Sequence, residues 1–84
     1  MRSRRSTAVL CIALGEAIRA ERKRLGWSQE DLAEQAGLNR AYVTDLENGR
    51  RTPNLDTLVR VAKGLGMKTS KLLSAGEARL SERS

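Results

Sequence analysis

Apolar residues along this chain recur at intervals of three and four, the period of a helix that buries one stripe. Leu10, Leu14, Ala17, Ile18 and Leu25 make the first such stripe, and Gly26 ends it. The next run, WSQEDL, signals a helix start in three ways: Ser28 as N-cap, Asp31 as the acid of a capping box, and Trp27 placed to staple against Leu32. A second helix is predicted from Gln29 to Ala36, stopped by Gly37, which takes φ > 0 without a Cβ clash. Leu38 and Asn39 repeat the start signal at once, with Asn39 as N-cap and Leu38 set to staple against Val43. A third helix therefore begins at Arg40 and ends near Asn48-Gly49. Stopping one short helix and capping another within about three residues forces a sharp angle between them, which is a helix-turn-helix.

The run GRRTP reads as a loop, after which Asn54 caps a fourth helix with an apolar stripe of Leu55, Leu58, Val61, Ala62 and Leu65, stopped by Gly66. A fifth, short helix is expected around Thr69 to Leu73, and the remainder, AGEARLSERS, is polar enough to fray. The expected organisation is a basic N-terminal arm over 1–9, a helical domain over 10–74 and a polar tail over 75–84. Phe is absent, Trp, Tyr and Pro occur once each, and β-branched residues are scattered, so a strand-built core has little material. The fold class is all-α, a compact arrangement of five helices. A length of 84 residues gives room for one small domain and none for a ligand-sensing second one, so no small-molecule effector is expected.

Charge adds a partner class. The net charge is +6, but its distribution is more informative: seven Lys/Arg against two Glu over residues 1–27, one Arg against five acids over 28–48, and four basic residues against one acid over 49–66. Basic flanks around an acidic middle favour a module whose edges hold phosphates while its centre is more selective. The single Cys11 has no disulfide partner, and no His or paired Cys offers a metal site, so no metal or other cofactor is expected and a reducing cytoplasm fits best. The N-terminus imitates a secretory signal, but its apolar run from Ala8 to Leu14 is short and continues into EAIRAERKR without a cleavage site. No segment approaches the roughly 20 apolar residues of a membrane span.

From Leu14 to about Leu73 the chain resembles the phage Cro/repressor-like, or XRE, helix-turn-helix domain, a lambda-repressor-like fold. The resemblance is carried by SQEDLAEQAGLNRAYVTDLENGRRTPNLDTLVRVAKGLG, in which Ser28-Gln29, Leu32-Ala33, Gly37, Val43, the LENGR run, Pro53 and Leu58 fall where the family places those residue types. The run LNRAYV is also similar to restriction-modification controller proteins. The resemblance implies a sequence-specific double-stranded DNA-binding transcription regulator, with helices two and three forming the reading unit.

Candidate site residues follow from that placement. Arg40, heading helix three, is expected to donate two hydrogen bonds to a guanine edge, the alternative being a phosphate contact. The resemblance makes Ala41 and Thr44 base-facing. Asp45 lies near the same surface, where it either accepts from a cytosine amino group or orients Arg40. Gln29 matches a family position that hydrogen-bonds a phosphate at the positive end of helix two. Ser28, Asn39 and Tyr42 are further backbone-facing candidates, Tyr42 alternatively packing at the helix edge. Asn48, Gly49, Arg50, Arg51 and Thr52 form a phosphate-facing set, with a minor-groove contact as the alternative for Arg51. Arg22 and Glu47 occupy positions that usually pair in this family, a structural tie between helix one and the end of helix three.

One recognition helix spans few base pairs, so a homodimer on a near-palindromic operator is expected. Met67, Leu72 and Leu73 are the candidate interface, since a one-turn helix buries only some of them; the alternative is that all three are core. RNA polymerase is a further candidate partner. The competing functional class is an antitoxin-like or adaptor protein using the same helices to bind protein. An enzyme reading finds no support: there is no His, the one Cys sits in an apolar run, the carboxylates are expected on solvent-facing helical positions, and no glycine-rich phosphate loop follows a strand.

Overall fold

The computed structural model describes residues 2–83, with side chains from 7 to 82. Its elements are α1 (Arg2–Arg24), α2 (Gln29–Ala36), α3 (Arg40–Glu47), α4 (Leu55–Gly64) and α5 (Thr69–Arg83). The three internal starts use their expected caps. Ser28 Oγ accepts from the Asp31 N–H at 3.1 Å while Asp31 Oδ2 accepts from the Ser28 N–H at 2.8 Å, closing the capping box. Asn39 Oδ1 accepts from the Tyr42 N–H and Asn54 Oδ1 from the Thr57 N–H, both at 2.8 Å.

The stop at Gly37 has φ +68°, and the backbone folds back so that Gly37 donates to Glu34 O and Leu38 to Ala33 O. This paired reversal satisfies two of the carbonyls that a helix end leaves without partners. Gly49, at φ +71°, closes α3 the same way, with Gly49 donating to Leu46 O and Arg50 to Asp45 O.

Leu14, Ile18, Leu32, Val43, Leu46, Val61, Leu65 and Leu72 meet in one core with three buried alanines, Ala33, Ala36 and Ala62. Trp27 and Leu38, the residues expected to staple the starts of α2 and α3, are half-buried against that core. Leu55 departs from the expected stripe of α4 and is 70% exposed, because as the first residue of the helix it lies beyond the elements that cover Leu58 and Val61.

The two ends of the chain differ most from the expectation. From Arg2 onward the stretch read as an arm is the start of α1; the side chains of Arg2, Arg4 and Arg5 lie outside the described residues. The stretch read as a frayed tail is helix to Arg83, and α5 packs more extensively against α1 than any other helix pair does. Gly76 is the reason. A glycine inside a helix normally weakens it by up to about 1 kcal/mol, but here a Cβ at Gly76 would come within 3.2 Å of Leu14 Cα. The missing side chain lets α5 lie against α1, and burial of that contact carries the helix onward. Leu72, expected at the interface, is fully buried in the core of the single chain, so it has no surface left for a second chain. Met67 and Leu73 remain half-buried.

Candidate nucleic-acid interface

Helix α3 divides cleanly. Val43, Leu46 and Glu47 are buried, whereas Arg40 and Ala41 are exposed and Thr44 and Asp45 half-exposed on the opposite side. Those four are the residues expected to face bases, and the helix brings them onto one outward surface. Arg40 opens that surface; Asn48, Arg50, Arg51 and Thr52 extend it as an exposed loop.

The inward side is fixed by an ion pair. Arg22 Nε donates to Glu47 Oε2 at 2.6 Å, Nη2 donates to Oε1 at 3.0 Å, and Nη1 donates to the Trp27 carbonyl at 2.7 Å. A forked guanidinium on a carboxylate is directional as well as charged, so it fixes angle as well as distance. Burial pushes the Glu47 carboxyl up, but the hydrogen bonds from Arg22 and Gln29 and the charges of Arg22 and Arg19 outweigh it, holding the group below the ordinary carboxylate value. The hydrogen bond to Glu47 raises the Arg22 guanidinium further against the opposing effect of burial. Glu47 is thus a buried exception to the expectation that the carboxylates lie on solvent-facing positions.

Arg19 also reaches Glu47, at 3.5 Å. Its signal in the sequence was its position one helical turn before Arg22 on the same face. Gly15 continues this support: a Cβ there would run into the Leu46 carbonyl oxygen and lie 2.7 Å from that of Glu47. The last turn of α3 therefore rests directly on the backbone of α1. A Cβ on Gly49 would likewise lie 2.7 Å from Ile12 Cγ1, and Cys11 Sγ lies 3.5 Å from Thr52 Oγ1, so α1 also supports the loop after α3.

Gln29 connects the buried pair to the outward face. Its Nε2 donates to Glu47 Oε1 at 3.1 Å and its Oε1 accepts from Thr44 Oγ1 at 2.9 Å. An amide nitrogen has two protons, so Gln29 Nε2 keeps one beyond its bond to Glu47. Asp45 does not orient Arg40: its partner is Arg51, whose Nε is 3.6 Å away. The Arg51 guanidinium also lies over the Tyr42 ring, 4.6 Å from its centre, which places Tyr42 against the arginine at the helix edge. Arg51 is folded along α3. Ser28 and Asn39 spend their side-chain oxygens on the caps described above. Arg60, which the sequence did not single out, reaches the Gly37 carbonyl at 3.4 Å and so touches the turn itself.

A helix-turn-helix family model matches residues 18–72, well over half of the chain. The chain belongs to the helix-turn-helix family. Among relatives of this helix-turn-helix protein, the control protein C.SmaI of Serratia marcescens is 41% identical over 61 residues, 73% of each chain. The immunity repressor of Bacillus phage phi105 is 40% identical over 62 residues, 74% of this chain but 43% of the repressor, so the helix-turn-helix protein spans less than half of that relative's length. Among solved structures, the clp gene regulator ClgR of Corynebacterium glutamicum superposes with a TM-score of 0.83 at 28% identity, covering 88% of this chain and 79% of that one. The restriction-modification controller protein C.AhdI of Aeromonas hydrophila gives 0.72 at 34% identity, covering 74% and 94%. The family of this helix-turn-helix protein is therefore one of transcription regulators that bind DNA. No helix among the described residues is long and apolar enough to cross a membrane.

Proposed function

We propose that the chain is a sequence-specific double-stranded DNA-binding transcription regulator, not an enzyme, acting in the cytoplasm as a homodimer on a near-palindromic operator. The observation that carries this reading is the division of α3: one side is locked to α1 through Arg22 and Glu47, and the other presents Arg40, Ala41 and Thr44 at the surface. A rigidly backed, polar helix face suits the major groove, which admits one α-helix. Arg50 and Arg51, exposed beside it, would hold phosphates and set register. The relatives named control protein and restriction-modification controller support a regulator; as a homodimer, its occupancy would follow its own concentration.

An eight-residue recognition helix covers only a few base pairs, so two copies about 34 Å apart would read half-sites one turn apart. With Leu72 in the core, Met67 and Leu73 are what remains of the expected interface. Selection from random duplexes tests the reading: a consensus with two-fold symmetry is the expected result. Sedimentation at micromolar concentration should show a dimer. A persistent monomer that binds a single half-site as tightly as the full palindrome contradicts the dimeric part.

A further inference from the structure

A threonine hydroxyl has one proton and two lone pairs, so at a DNA surface it can serve as donor or acceptor. The surroundings of Thr44 remove that freedom. Its Oγ1 lies 2.9 Å from Gln29 Oε1 and 3.1 Å from the carbonyl oxygen of Arg40, and both neighbours only accept. Whichever of them takes the proton, it points inward.

The orientation of the Gln29 amide is itself fixed. Its other end faces Glu47 Oε1 at 3.1 Å. That carboxylate is fully buried, has both oxygens bonded to Arg22 and lies near Arg19 as well. Turning the amide over would set a carbonyl oxygen against a carboxylate oxygen on one side and an NH₂ against the hydroxyl on the other. An ionised Glu47 therefore holds the amide nitrogen toward itself, the amide oxygen toward Thr44, and the Thr44 proton away from the outside. Gln29 acts here as a positioning residue.

We propose that Thr44 reads DNA as a hydrogen-bond acceptor, so that its partner on the base edge is an exocyclic amino group, adenine N6 or cytosine N4. Guanine O6 and N7 and thymine O4 are acceptors and are refused by the same geometry. This inference rests on α3 lying in the major groove, as proposed above. A buried charge on one side of the domain thereby sets the polarity of a contact on the other.

The test uses the full chain, its Thr44→Val variant and the duplex selected from random sequences. At the base pair where Thr44→Val loses discrimination, the exocyclic amino group is removed by purine in place of adenine, or by 2-pyrimidinone in place of cytosine. Removing it should weaken the wild type by about 2- to 10-fold, the size of one net hydrogen bond, and leave Thr44→Val unaffected. Replacing the purine of that pair by its 7-deaza form, which removes an acceptor, should leave the wild type unchanged. If the 7-deaza base weakens the wild type and not Thr44→Val, Thr44 is a donor and the proposal is overturned. If Thr44→Val changes preference at no base pair while the wild type still prefers its selected site, the Thr44 contact is wrong and the regulator reading stands. A wild type with no preference for any duplex overturns both.

Discussion

Arg22 and Glu47 are 25 positions apart in the chain and joined by two hydrogen bonds in the structure, one of 2.6 Å and one of 3.0 Å, with the Glu47 side chain wholly inaccessible. A buried pair of this kind adds little net stability because desolvation offsets its attraction, but losing one partner strands a charge. Glu47→Ala should therefore lower the unfolding free energy by about 3–5 kcal/mol, and the double replacement Arg22→Met with Glu47→Leu should lower it by less. Urea unfolding of both variants decides this.

Acid should weaken the fold through the same residue. The folded state holds Glu47 below its ordinary value of 4.5, so the stabilisation is fully present above that value and is lost as pH falls through the lower folded value. Unfolding free energies measured between neutral pH and strong acid should fall more steeply in the wild type than in Glu47→Gln, which has no proton to gain at this position. Parallel curves would show that Glu47 does not contribute to the acid limb.

Gly15→Ala should be destabilising although alanine is the better helix former. The added methyl meets two backbone carbonyls of α3, which cannot rotate away as a side chain would. Overpacking of this kind typically costs about 1–3 kcal/mol. Thermal unfolding should register the loss, and selective DNA binding should fall too, because the last turn of α3 is pushed off α1.

The helix-turn-helix was legible because its signals are local: Ser28, Asp31, Gly37 and Asn39 act within a turn of themselves, and the boundaries of α2 and α3 follow from their hydrogen bonds. The ends of the chain were not legible because α1 and α5 pack on each other, a long-range contact with no local signature. Gly76 lies in the stretch expected to fray for its polarity and is instead a contact surface. At the surface, the family resemblance put Thr44 on the base-facing side, with Asp45 near it, but could not reveal their partners. The link from Thr44 through Gln29 to Glu47, and that from Asp45 to Arg51, join residues whose separation in sequence carries no periodic signal.

Removing residues 75–84 should then destabilise the domain, where a frayed tail would have been dispensable. Such a truncation deletes Gly76 from its place on Leu14 and exposes the buried side of α1. A drop in melting temperature of several degrees is expected for a small domain losing 1 kcal/mol or more. An unchanged melting temperature would mean that the second half of α5 contributes nothing to stability.

The central claim, that the outward face of α3 reads bases while the following loop holds phosphates, is tested most directly by binding constants measured across a salt series. The comparison takes the wild type, Arg40→Ala and Arg50→Ala, each on the selected duplex and on a random one. Arg40→Ala should lose about 1–3 kcal/mol on the selected duplex, relax preference at one base pair and lose little on the random one. Arg50→Ala should weaken both duplexes alike and lower the salt slope by about one, the signature of one phosphate contact. Equal losses on both duplexes for both variants, or wild-type binding with no salt dependence, would contradict the account.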